Sequence, residues 1–247
     1  MQITILPDMA EVWQKTLNWQ PSQLQQSQFQ VLYKLILQGN EKLNLTRITE
    51  AIEFWEKHLW DSLRGIAILL QNSPEKPPQT LKFIDIGTGA GFPGLPIAIT
   101  LPNASITLLD STRKKINFVA SIINNLELDN ANTLIGRVEE IGHDKKHRAS
   151  YDITLLRAVA PASVCAEYAL PLLKINGLAI LYRGHWTEAE TIDLQKAVKK
   201  LGGVVESIET FTTPISDSVR NCLYLRKIAP TPTEFPRAVG VPVQQPL

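Results

Sequence analysis

The chain has 247 residues, 44% of them apolar, and a formal net charge of +1 from 25 basic and 24 acidic side chains. That length buries one substantial core, no apolar run approaches the ~20 residues of a membrane-crossing helix, and a near-neutral field attracts a polyanion only through a local basic face. The start MQITILPDMAEVW lacks the basic-then-apolar order of a secretory signal, and Cys165 and Cys222 make neither a disulfide framework nor a metal-ligand spacing, so a cytoplasmic protein with no metal and no membrane partner is expected.

From Asp8 to Gln71 the period is helical. Phe29, Leu32, Tyr33, Ile36 and Leu37 recur at steps of three and four, a solvated helix start is expected after Pro21, and Gly39 with Asn40 reads as its stop. A second helix is predicted from Thr49 to Leu70, burying Ile52, Trp55, Leu59, Leu63 and Ile66. The proline-rich NSPEKPPQ marks a boundary, which divides the chain into a helical extension with linker (1–79), a main domain (80–228) and a proline-rich tail (229–247) expected to be disordered in preference to the other reading, a packed arm.

Beyond the linker, strands alternate with helices. LKFIDI (81–86), SITLLD (105–110), NTLIG (132–136), YDITLLRA (151–158) and GLAILYRG (177–184) read as strands, with helices between them and a charged helix from Glu188 to Leu201. The closing pair, GVVESIETFTT and RNCLYLRKI, has a short connection and must pair antiparallel. The pattern predicts an α/β fold with a doubly wound, seven-stranded, mostly parallel sheet. An antiparallel last strand separates the Rossmann-like class I methyltransferase variant from a dinucleotide domain, which ends on parallel strands.

FIDIGTGAGFPG sets Gly87, Gly89 and Gly91 between a strand and a helix, where backbone without side chains turns sharply and comes close to a ligand. In open parallel sheets that ligand lies beyond the carboxyl ends of the strands. Gly89 to Gly94 also fits G-x-G-x-x-G, so an NAD(P)-dependent oxidoreductase is an alternative. Asp85 weighs against it: a carboxylate there accepts from the loop amides, or from the ammonium of S-adenosylmethionine through water, and would repel a pyrophosphate. Asp110, about 20 residues beyond the loop, is placed for ribose hydroxyls in either class. Val138 and Glu139, after the third strand, are placed for the adenine edge, or Glu139 is simply an acid in a helix's first turn.

After the fourth strand, Arg157-Ala158-Val159-Ala160 faces the target atom. Methylation of an exocyclic amine calls for an Asn or Asp followed by an aromatic ring there, and neither stands at that point. Transfer to pyrimidine carbon five calls for a cysteine, but Cys165 sits in an Ala- and Leu-rich helix and reads as packing. An arginine with no evident base suits an acceptor with its own in-plane lone pair, such as guanine N7, where holding the acceptor in line is worth roughly 7–11 kcal/mol. No catalytic group is assigned beyond Arg157 as a positioning candidate, and a salt bridge is its other reading.

NLT (44–46), His58 with Asp61-Ser62, FIDIGTGAGFPGLPI, LLDS with Lys114 or Lys115, RVEE, RAVA and RNCLYLRK together resemble the bacterial glucose-inhibited division protein B family, also called ribosomal RNA small subunit methyltransferase G. The resemblance covers most of the chain and implies methyl transfer from S-adenosylmethionine to N7 of a guanine in 16S ribosomal RNA. It implies cofactor contacts at Gly87 and Phe92, at Asp110, Ser111 and Thr112 near the ribose, at Val138 and Glu139 near the adenine, and at Arg157. His58 and Asp61 share a helix face, as an acid-base or metal pair or as a brace of the extension against the main domain. Arg47, Arg113, Lys114, Lys115 and Arg183 are nominated for contact with 16S ribosomal RNA or the small subunit, KKHR (145–148) is expected to be a solvated loop, and a monomer is expected. A catalytically silent module that binds adenosylmethionine or RNA is the remaining alternative, since no acid-base group is demanded.

Overall fold

A computed structural model describes residues 5–71 and 80–247. The proline-rich linker, with the boundary read from it, lies outside the described residues.

The extension begins with α1 (Ala10–Leu17), which buries Trp13 and Leu17 one turn apart and ends on Asn18 in the left-handed region. Next, α2 (Gln23–Leu43) starts where Pro21 predicted. The Ser22 hydroxyl accepts from the Gln25 amide while the Gln25 side chain accepts from the Ser22 amide, which satisfies two orphan donors at once. The expected stop at Gly39 and Asn40 is corrected: the helix runs through both and ends on Asn44 at φ 49°. Gly39 serves close packing, because a Cβ there would collide with the Phe118 ring.

The predicted second helix is also corrected. It is broken into α3 (Ala51–Phe54), a π-helical turn (Trp55–Trp60), α4 (Asp61–Arg64) and α5 (Ala67–Gln71). The π turn shifts the helical register, so Ile52, expected inside, is 37% exposed, whereas Trp55, Leu59, Leu63 and Ile66 beyond it are buried.

The main sheet has seven strands in the order β3-β2-β1-β4-β5-β7-β6. These are β1 (Lys82–Ile86), β2 (Ser105–Asp110), β3 (Ala131–Ile135), β4 (Tyr151–Arg157), β5 (Leu173–Arg183), β6 (Gly203–Thr212) and β7 (Val219–Lys227). β1 to β5 pair in parallel, and β7 is inserted antiparallel between β5 and β6. Each parallel crossover carries a helix: α6 (Gly94–Thr100), α7 (Arg113–Asn125), α8 (Val138–Ile141) and α9 (Ala162–Ala169). α10 (Glu188–Lys200) leads from β5 to β6. The fifth strand begins at Leu173, earlier than predicted, and its pairing with β4 shifts register between Tyr151 and Ile153.

One apolar core joins the extension to α6, α7 and the sheet face below them, with Trp13, Phe29, Phe54 and Trp60 packed together with Phe83, Leu95 and Val119. A second core fills the opposite face under α9 and α10. The neighbours of β1 are β2 on one side and β4 on the other, so the strand order reverses there and a crevice opens beyond the carboxyl ends.

The tail is ordered, which corrects the expectation of disorder. Arg148 donates to the carbonyls of Thr231, Pro232 and Phe235, and Arg237 pairs with the buried Glu167 at 2.6 Å. Proline removes donors but leaves carbonyls, and a guanidinium with five N–H groups can collect several of them. The KKHR reading changes with it: Lys145 and Lys146 are exposed, but Arg148 pins the tail.

Candidate cofactor-binding site

The loop after β1 is built on two carboxylates. Asp85, fully buried, accepts at Oδ2 from the Thr88 hydroxyl at 2.6 Å and from the Gly94 amide at 2.9 Å. Asp110, at the end of β2, accepts from the Gly89 amide at 3.0 Å and from the Thr112 amide at 2.8 Å. Between these anchors Gly87, Gly89 and Gly91 take φ values of 69°, 61° and 99°, a region costly for any side chain. A Cβ at Gly87 would lie 2.9 Å from Val159, so the loop also passes close to the chain leaving β4. At Gly89 a Cβ would meet nothing nearer than the Gly87 carbonyl at 3.9 Å, and the space beside it is open. Burial pushes the Asp85 carboxyl up to about 6 against the bonds from Thr88 and Gly94, and its Oδ1 is buried without a partner.

Beyond the loop lies a cleft of about 320 Å³, lined by Gly87, Asp110, Ser111, Thr112, Val138 and Glu139 of the residues expected to hold a cofactor. Lys115, nominated for RNA, also lines it, as do Arg137, Val159, Ala160 and Tyr168. Tyr168 went unread because it is the seventh residue of a helix whose spacing looks like ordinary packing. Its hydroxyl donates to Glu139 Oε1 at 3.2 Å, and burial together with that carboxylate raises its pKa, so it stays a donor. Asp85, Gly89, Phe92 and Arg157 are not among the lining residues. Asp85 supports the loop from beneath, Gly89 is held in the loop by the Asp110 carboxylate, and Phe92 and Arg157 face the extension.

Arg157 donates to the Lys57 carbonyl at 2.8 Å, meets Asp61 at 3.3 Å and His58 Nδ1 at 3.3 Å, and lies 5.5 Å from the Phe92 ring centroid. Its salt-bridge reading is the one the geometry displays. His58 stacks on Phe92 with centroids 4.4 Å apart and bonds Thr46 at 3.0 Å. Burial, then the Arg157 charge, depress its pKa to about 3, so it is neutral. His58 and Asp61 thus brace the extension against the loop. No metal-binding cluster occurs among the described residues. Arg47, Arg113 and Lys114 are exposed, and Arg183 lies over Trp186 at 6.0 Å.

A separate cleft of about 510 Å³ runs between α1 and α2, lined by Trp13, Phe29, Trp55 and Leu59, with Asp8 its one charged residue among those described. Its polar lining is Asp8, Gln26, Ser27 and Gln30, and it includes no residue of the strand ends.

A doubly wound sheet with β7 inserted antiparallel and a glycine loop at the order reversal define a class I methyltransferase fold. A methyltransferase of Bacillus halodurans, described as putative, superimposes at a TM-score of 0.51 with 12% identity over 69% of this chain and 100% of that one. The methyltransferase domain of citrinin polyketide synthase gives a TM-score of 0.51 at 14% identity over 70% of this chain and 53% of that one. The family model for rRNA small subunit methyltransferase G matches residues 25–219. Proteins named ribosomal RNA small subunit methyltransferase G from Nostoc punctiforme and Trichormus variabilis are 64% and 63% identical, each over 98% of this chain and 99% of that protein. The chain belongs to this family and is an S-adenosylmethionine-dependent methyltransferase. The dinucleotide alternative falls with that membership.

His58 makes stability depend on pH. Its folded pKa of about 3 lies below the usual 6.5, so the folded state binds fewer protons between those values and stability is lost as pH falls below 6.5. At about 1.4 kcal/mol per pH unit, the loss at pH 5 is about 2 kcal/mol. Asp85 works the opposite way, because its raised pKa favours the folded state increasingly as pH falls from about 6 towards 3.8. Urea melts of wild type and His58→Gln at pH 7.5 and pH 5 isolate the histidine: the variant should lose about 2 kcal/mol less, and equal losses would contradict a buried neutral imidazole.

Proposed function

We propose that this enzyme, working as a cytoplasmic monomer, methylates N7 of a guanine in 16S ribosomal RNA, on the naked RNA or the small subunit. The observation that carries the reading is the carboxylate-braced glycine loop opening onto a cleft with Asp110 and Glu139 at successive strand ends. Among the described residues no helix is long and apolar enough to cross a membrane.

The residues fit an adenosyl ligand with an amino-acid end. The open space at Gly89 leaves room for close approach to the backbone, and Asp85 serves the site from below by holding the loop through Thr88 and Gly94. Asp110 uses one lone pair on each oxygen for the loop amides and keeps others for ribose hydroxyls, with Ser111 and Thr112 beside it. Val138 and Glu139 would frame the adenine. The bound cofactor supplies an electrophilic sulfonium methyl group.

What the protein must then do is orient. Guanine N7 has an in-plane lone pair and needs no deprotonation, so its methylation demands no general base. Cys165 is no nucleophile at neutral pH: burial pushes its thiol up to about 11, and the thiol donates to the Ala160 carbonyl. Arg157 acts as a positioning residue, holding the segment after β4 through the extension. Arg47, Arg113, Lys114, Lys115 and Arg183 supply the local positive charge for phosphates that the net charge does not.

Gly87→Val should reduce S-adenosylmethionine binding by at least a hundredfold in isothermal titration, because the side chain meets Val159 in a left-handed backbone; undiminished affinity would remove the loop from the site. Cys165→Ala should keep wild-type activity within about threefold, and loss of activity in a folded variant would reopen covalent catalysis. Incubation with methyl-labelled cofactor and small ribosomal subunits, followed by mass spectrometry of the RNA, should place the label on guanine N7. Label on another atom would refute the acceptor, and no label would favour a silent module.

A further inference from the structure

We infer that the C-terminal arm, residues 229–247, is a working part of the adenosyl subsite: it positions Glu139 for the base and forms one wall of the cleft. The inference rests on the proposed location of the cofactor.

The arm is tied down along its length. Besides the Arg148 bonds, the Thr231 hydroxyl donates to the Leu201 carbonyl at 2.7 Å and His143 Nε2 donates to the Pro236 carbonyl at 2.6 Å. Arg237 then meets Glu167 through its backbone amide at 2.8 Å and its guanidinium at 2.6 Å, satisfying a carboxylate with 0% side-chain exposure. These anchors deliver Gly240 to the site. At φ 83° it turns the chain into α11 (Val241–Gln244), and its amide donates to Glu139 Oε1 at 3.1 Å. Three residues on, Val243 lines the cleft while 54% exposed.

Two donors, Gly240 from the arm and Tyr168 from α9, end on the same oxygen of Glu139. That fixes the carboxylate plane and leaves Oε2 for a ligand donor. An exocyclic amine, as on adenine, satisfies it, whereas a carbonyl oxygen at the same position, as on hypoxanthine, is repelled. A site built around a hydrogen bond rejects the analogue lacking the donor far more strongly than shape alone does. The arm thereby sharpens both affinity and base choice. The family model ends at residue 219, ahead of the arm, and so assigns it nothing.

The test uses the full chain, a chain ending at Ala238, which keeps Arg237 on Glu167, and the point variant Val243→Asp. Isothermal titration measures S-adenosylhomocysteine and its inosine counterpart, with thermal melting as a check on folding. Shortening should weaken S-adenosylhomocysteine about tenfold and reduce the adenosine-over-inosine preference by a similar factor. Val243→Asp, at a half-exposed position, should weaken binding at least fivefold, because the base must desolvate a new charge, and it decides the matter if the shortened chain fails to fold. Both variants binding within twofold of wild type, while Gly87→Val abolishes binding, would overturn the arm's role and leave the cleft standing. A Gly87→Val chain that binds normally would overturn the cleft and the arm's role together.

Discussion

Two carboxylates at neighbouring strand ends hold the glycine loop in the one shape that keeps its crevice open. Removing a carboxylate from water costs several kcal/mol unless donors replace the solvent, and here Thr88 and Gly94 donate to Asp85, and Gly89 and Thr112 to Asp110. Parallel pairing sets Asp85 opposite Leu108 and Ile86 opposite Leu109, so Asp110 falls level with Gly87. The sheet register thus decides which backbone amides the acids can reach, and the left-handed glycines let those amides turn towards them.

The extension completes the loop from behind. Phe92, immediately after the last of the three glycines, is stacked by His58 and lies edge-on to Phe54 at 5.7 Å. Arg157 closes the arrangement by joining β4 to Lys57, His58 and Asp61. The π turn from Trp55 to Trp60 carries His58 and leads directly into Asp61, so both contacts are made from this irregular stretch of the extension. One core cluster packs the extension with the strands, a second fills the opposite sheet face, and the arm reaches the cleft at Glu139.

Much of this was legible in the chain. The strands, their parallel order and the inserted β7 followed from alternating periods and a short final connection, and the loop's glycines and acids announced the crevice. Other features were hidden for physical reasons. Gly39 looked like a helix stop because a lone sequence does not show the Phe118 ring that needs its missing side chain. The π turn was invisible because hydrophobic spacing assumes a constant period. Proline-rich composition suggested disorder in the arm, yet one arginine some eighty residues earlier collects the carbonyls of Thr231, Pro232 and Phe235. Glu139 and Asp110 were readable as acids at strand ends, but not the Tyr168 and Gly240 donors that aim Glu139, since those come from distant segments.

The most direct test of the braced crevice as the cofactor's seat is backbone amide chemical shifts followed while S-adenosylmethionine is added. The account predicts that Gly87, Gly89, Ser111, Thr112, Val138 and Gly240 move together with one saturation curve. Shifts centred on Trp13, Phe29 and Trp55, with the glycine loop unmoved, would contradict it.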